Sequence, residues 1–131
     1  MKKLIAAALV LAGSSAFADT TVLKCAMSAK AAKPATINVT LGADTSVDFV
    51  TMTVTEKTGT SQFFSQLDKG TVAAQMGQGF LQMLALTEKT AQTDDGVIKN
   101  TGFFGVSKED SGAFSGFMAA NGNIYIISCT K

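Results

Sequence analysis

Apolar residues along this chain recur mostly at every second position, in short runs separated by clusters of Gly, Asn, Asp and Lys. A two-residue period puts alternate side chains on opposite faces and predicts half-buried strands. Leu23, Cys25 and Met27 share a face over Thr21–Met27. Residues 28–34 read as a loop. Over Thr36–Leu41, Ile37, Val39 and Leu41 oppose Thr36, Asn38 and Thr40. The run Val47–Thr55 changes phase. Val47 and Phe49 share one parity, whereas Val50, Met52 and Val54 share the other, so a β-bulge near Phe49-Val50 is expected. Gln62–Leu67, Val97–Val106, Ala113–Ala119 and Asn123–Cys129 complete the clear runs. Turns are expected at Gly42-Ala43-Asp44, Lys57-Thr58-Gly59, Asp68-Lys69-Gly70, Asp94-Asp95-Gly96 and 108–112. Asn121-Gly122 is the strongest hairpin signal in the chain.

The stretch Thr71–Thr90 admits two periods. As a helix it would align Val72, Met76, Phe80, Met83 and Leu84, with Gln75, Gln78 and Gln82 opposite. As strands it would break at Gly77 and Gly79 and continue as an apolar strand over Phe80–Leu86. Each glycine inside a helix costs about 1 kcal/mol relative to alanine. Two of them tip the expectation to strand, with no helix longer than two turns.

The chain therefore predicts an all-β fold of eight or nine strands in up-and-down order. Two architectures satisfy it: a small antiparallel barrel of about eight strands, or a two-sheet sandwich. The cysteines constrain both. Cys25 and Cys129 lie on the first and last expected strands, and they are the only two in the chain. A disulfide between them requires those strands to be neighbours or to face each other across a core. No CxxC spacing or flanking charge suggests a redox-active pair.

The first eighteen residues change the context of that bridge. Lys2 and Lys3 precede an unbroken apolar run, Leu4–Ala12, and Ala16-Phe17-Ala18 places small residues at −3 and −1. That is the pattern of a bacterial secretory signal peptide, residues 1–18, cleaved between Ala18 and Asp19. The run is too short to span a bilayer about 30 Å thick. The expectation is an exported protein, periplasmic or secreted, with residues 19–131 as a single β domain in a compartment that permits disulfides. No transmembrane helix is expected in the mature chain.

Composition narrows the chemistry. Removing Lys2 and Lys3 leaves nine lysines against ten acidic residues, with no arginine, histidine or tryptophan. There is no imidazole base, no Ser-His-Asp or Cys-His arrangement, and no guanidinium fork for phosphate. The near-neutral charge offers no footprint for nucleic acid. No catalytic, cofactor-binding or metal-binding residue is assigned. Asp94-Asp95 and Glu109-Asp110 lack the spacing of a calcium loop and read as solvated turn carboxylates.

The adjacent pairs Phe63-Phe64 and Phe103-Phe104 carry more information. In a barrel, one ring of each pair must point outward and can join an exposed apolar patch. In a sandwich, or under a covering helix, both can be buried. A small secreted barrel tied end to end by a disulfide resembles in architecture the bacterial periplasmic inhibitors of lysozyme, although no inhibitory motif is found here. The function expected is a non-enzymatic barrel that binds a protein partner or a small apolar ligand. The alternatives are a structural or envelope-associated protein and, further off, a hydrolase built on carboxylates or lysine.

Overall fold

A computed structural model of the chain describes residues 19–28, 30–31, 34–87, 96–97 and 100–131. Eight antiparallel strands close into a barrel in sequence order. They are β1 (Thr20–Ala26), β2 (Ala35–Leu41), β3 (Val47–Glu56), β4 (Gly59–Asp68), β5 (Phe80–Thr87), β6 (Thr101–Lys108), β7 (Phe114–Ala120) and β8 (Asn123–Thr130). One short helix, α1 (Thr71–Gly77), lies between β4 and β5. The expected leader, residues 1–18, and the expected turn at Asp94-Asp95 lie outside the described residues.

The alternation read from the sequence is the alternation observed. Leu23, Cys25, Ile37, Val39, Val50, Met52, Val54, Phe63, Phe104, Met118, Tyr125 and Ile127 are buried inside the barrel. The interior is occupied by large side chains: Tyr125, Phe63, Phe104 and Phe114 are each less than 2% exposed. Tyr125 keeps its hydroxyl satisfied by donating to Glu56 Oε1 at 3.0 Å, as a buried phenol requires.

The barrel is two four-stranded meanders, and the seam that closes it between β1 and β8 is thin. Pairing within β1–β4 and within β5–β8 runs nearly the full strand length. Between the meanders, the described residues pair over shorter stretches. Among them, β4 meets β5 at Phe63–Thr87 and Phe64–Leu86. β1 meets β8 at Lys24–Thr130, Cys25–Cys129 and Ala26–Ser128. The Cys25–Cys129 disulfide sits in the middle of this β1–β8 seam, with a Cα separation of 4.0 Å. Both sulfurs belong to the buried core.

Two sequence expectations need correction. The first is the strand reading of the segment that opens at Thr71. Residues 71–77 are helical, and only Phe80–Thr87 is a strand. Gly77 and Gly79 do mark a break, but they end a helix of seven residues rather than separating two strands. Gly70, at the N-cap, has no side chain to cap the helix, and the cap comes from a distance. Asp48 reaches in from β3 and its carboxylate accepts the Val72 N–H at 2.9 Å, satisfying one of the orphan donors of the first turn. Thr71 Oγ1 donates to the Asp68 carbonyl at 2.6 Å. Val72 is buried and anchors the helix to the core. At the other end, Gln75 Oε1 accepts the backbone N–H of Gln82 at 2.9 Å. A side-chain amide thus takes over a ladder position where β4 and β5 have parted.

The second correction concerns the bulge. β3 pairs without a register shift on both sides. Asp48, Val50, Met52 and Val54 all point inward. Val47 and Phe49 are outward-facing hydrophobic residues, and Phe49 packs on Phe64 of β4 with ring centroids 5.6 Å apart. The apparent phase change arose because the inward slot holds a charged residue, committed to the helix, while its neighbours outside are apolar. The irregularity lies instead in β1, between Thr21 and Leu23.

The C-terminal hairpin is as expected. Ala120 pairs with Asn123, and Asn121 and Gly122 take φ of 55° and 74°. Replacing Gly122 with valine puts a β-branched residue at positive φ. It should destabilise by more than about 1 kcal/mol and raise the free-thiol content, because the tip sets the register of Cys129. A variant that melts like the parent and stays fully oxidised would contradict this.

Candidate interaction surface

The exteriors of the two meanders differ in kind. On the first, the outward rows across β2, β3 and β4 read Thr36–Thr55–Thr60 and Asn38–Thr53–Gln62. Threonine and amides suit a solvated pleat. The Phe49–Phe64 pair is a local exception at one end of this face.

On the second meander the central outward positions are mostly apolar. Strand registers assemble them into two rows. Leu84 pairs with Phe103, Phe103 with Ala119, and Ala119 with Ile124. In the next row, Gln82 pairs with Gly105, Gly105 with Phe117, and Phe117 with Ile126. Phe103 and Phe117 lie in tilted contact, centroids 5.9 Å apart. The remaining side chains stand free. Leu84 is 56% exposed, Ile124 65% and Ile126 67%. Strands about 4.8 Å apart make each row roughly 15 Å wide. The next row starts with half-buried Phe80 on β5 and continues with Ser107, Ser115 and Ser128.

Charge is almost absent here. Lys108, at the end of β6, is the only charged residue in the four strands. Glu109 and Asp110 lie exposed in the β6–β7 turn, as expected of solvated carboxylates. The buried carboxylate, Asp48, is spent on α1 and on Lys69 Nζ at 3.6 Å, a pair exposed at the lysine. Asp44 closes its own turn. Its carboxylate accepts from the Ser46 hydroxyl and amide, and from the Val47 amide. Those bonds, the Ser46 hydroxyl first, hold it below the usual aspartate range. Among the described residues, no group of three or more His, Cys, Asp or Glu could hold a metal ion. Among them, too, no helix is long and apolar enough to cross a membrane.

The phenylalanine pairs split as a barrel demands. Phe63 and Phe104 are buried, while Phe64 is half-buried and Phe103 faces outward. Ile124 and Ile126 stand opposite Tyr125, Ile127 and Cys129, as their parity predicts. Sequence reasoning missed Leu84 and Phe117, and it missed that all of these converge. A signal was available. Fixing the Asn121-Gly122 tip sets Ala119 against Ile124 and Phe117 against Ile126, so the hairpin alone predicts half of the patch. No family model, curated protein or solved structure matches this chain.

Proposed function

We propose that the protein is an exported, non-enzymatic barrel whose outer β5–β8 face binds another macromolecule. The observation that carries this reading is the double-sided apolar character of the second meander. Its inward residues fill the core, yet the central rows of its outward face are largely apolar as well, and the face is nearly uncharged. The exposed side chains of Leu84, Phe103, Phe117, Ile124 and Ile126 present on the order of 500 Å² of contiguous apolar surface, at the upper end of what a monomer usually shows. Tightly packed inward side chains favour a macromolecular partner on the outside over a small apolar ligand within. The disulfide is compatible with an oxidising, exported compartment. An envelope-associated structural role would use the same face.

Site-specific photocrosslinking in cells tests the reading. A benzoylphenylalanine in place of Phe117 should give a discrete crosslinked product. The same group in place of Asn38, on the threonine-rich exterior, should not. No product from position 117, or equal products from both positions, would refute the assignment of the face.

A further inference from the structure

We infer that the occupant of the β5–β8 face is a second copy of this chain, packed face to face about a two-fold axis that runs parallel to the strands between β6 and β7. The inference rests on the reading of that face as the interaction surface. Three observations favour a second copy over a different partner.

The first is relief. On β6 a large residue is followed two positions later by a small one, Phe103 then Gly105. On β7 the order is the same, Phe117 then Ala119. Antiparallel pairing sets Phe103 beside Ala119 and Gly105 beside Phe117. A two-fold parallel to the strands exchanges β6 with β7 within each row. Phe103 of one copy then faces Ala119 of the other, and Phe117 faces Gly105. Ala119 is the open low point, which receives Phe103. Gly105 is roofed by the Phe103 ring of its own copy, which would stand 3.0 Å from a Cβ there, so Phe117 meets that ring and the four rings form one cluster at the centre. Leu84 faces Ile124 across the same axis. The surface is complementary to itself, which is the requirement of an isologous interface.

The second is charge. A two-fold brings each residue near its own equivalents, so a charged face would repel its copy. These rows hold none, and Lys108 lies beyond the serine row at the strand end. A partner recognised by opposite charge would find nothing here to read.

The third is area. A stable dimer buries about 800 Å² on each subunit, apolar at the centre and polar at the rim. The five exposed apolar side chains supply roughly 500 Å² of that. Thr101, Ser107, Ser115 and Ser128 border them with small polar groups that can complete the rim, and Gln82, at the β5 end of the second row, faces Ile126 across the axis. Sheets packed in this way lie about 10 Å apart with their strands inclined by about 30°, a spacing the Phe rings can fill.

Sedimentation velocity of the oxidised protein tests the inference, using the parent chain, Phe117→Lys and, as a control on the other aromatic pair, Phe64→Lys. The parent and Phe64→Lys are expected to be dimers at roughly 100 μM. Phe117→Lys should sediment as a monomer with an unchanged far-UV spectrum, its dissociation constant raised at least tenfold. A glycine-to-alanine change at Gly105 gives a second reading without charge. Its added Cβ would approach Phe103 Cε1 to 3.0 Å, so it lifts the ring and should weaken the dimer. A monomeric parent overturns the second-copy inference while leaving the face available to another partner. A dimer that survives Phe117→Lys with the fold intact overturns the face assignment as well. If Phe64→Lys alone dissociates the dimer, the interface is on the first meander and both are overturned.

Discussion

Converting Cys25 and Cys129 together to alanine should cost the barrel about 3–5 kcal/mol, the largest loss expected from any change that leaves the strands' own sequences otherwise intact. The bond joins residues 104 apart. In the chain-entropy account, a loop of that size restricts the unfolded chain by about 4.7 kcal/mol. The fold adds a reason of its own. Three residue pairs hold β1 to β8. Without the bond, the closure of that seam between two well-paired meanders depends on those three pairs and on the packed core. Unfolding in denaturant, followed by both fluorescence and circular dichroism, should show the loss, with a melting temperature lower by roughly 10–20 °C. Hydrogen exchange should locate it. Amides of β1 and β8 at the seam should exchange early, while the long β3–β4 ladder stays protected. A double variant within about 1 kcal/mol of the parent would mean that the seam closes without help from the bond.

The junctions between the meanders also explain why the sequence left barrel and sandwich unresolved. Both architectures ask for two meanders with alternating faces and a link from first strand to last. They differ in whether a few residues at the meander edges pair. Those residues, 63–64 with 86–87 and 24–26 with 128–130, carry no local mark of pairing. The strands themselves were legible because period-two alternation is a property of one segment at a time. The helix was not, because its N-terminus is capped by Asp48, a residue 24 positions earlier in sequence. Asp48 misled twice, since a charge at an inward position also made β3 look out of phase.

The candidate surface was legible in part for a related reason. Parity alone turns Phe103, Ile124 and Ile126 outward. A tally of single strands does not say that the outward residues of four strands fall in two common rows. That depends on register, which is known from sequence only where a tight turn fixes it, as at Asn121-Gly122. Leu84 joins the patch through β5–β6, whose connection includes residues beyond any short hairpin, so its partner Phe103 could not be counted in advance.

Gly116→Ala is expected to be the most damaging single methyl group in the chain, destabilising by about 3 kcal/mol or more. Gly116 faces inward on β7, opposite Val106 of β6 and Ile127 of β8. A Cβ there would collide with the Gly105 carbonyl oxygen and would lie 2.8 Å from Val106 Cα. All of these are backbone atoms, so no rotamer change relieves the clash, and β6 and β7 must separate. Close backbone approach of this kind lets a sheet coil tightly into a small barrel. Gly102, also inward on β6, is the milder case. Its added Cβ would meet the Ala119 carbonyl at 2.9 Å and Phe63 Cδ2 at 3.5 Å. Gly77 is the control, because nothing lies within 4 Å of its added Cβ, and alanine at the end of α1 should be neutral or slightly stabilising. Denaturant unfolding of the three variants should therefore rank Gly116→Ala below Gly102→Ala and both below Gly77→Ala. If Gly116→Ala unfolds within about 1 kcal/mol of the parent, the β6–β7 approach is looser than described. The ranking bears on function too. The spacing set at Gly116 holds Phe103 and Phe117 in contact at the centre of the outer face, so a β6–β7 pair forced apart would part those rings before it melted the barrel.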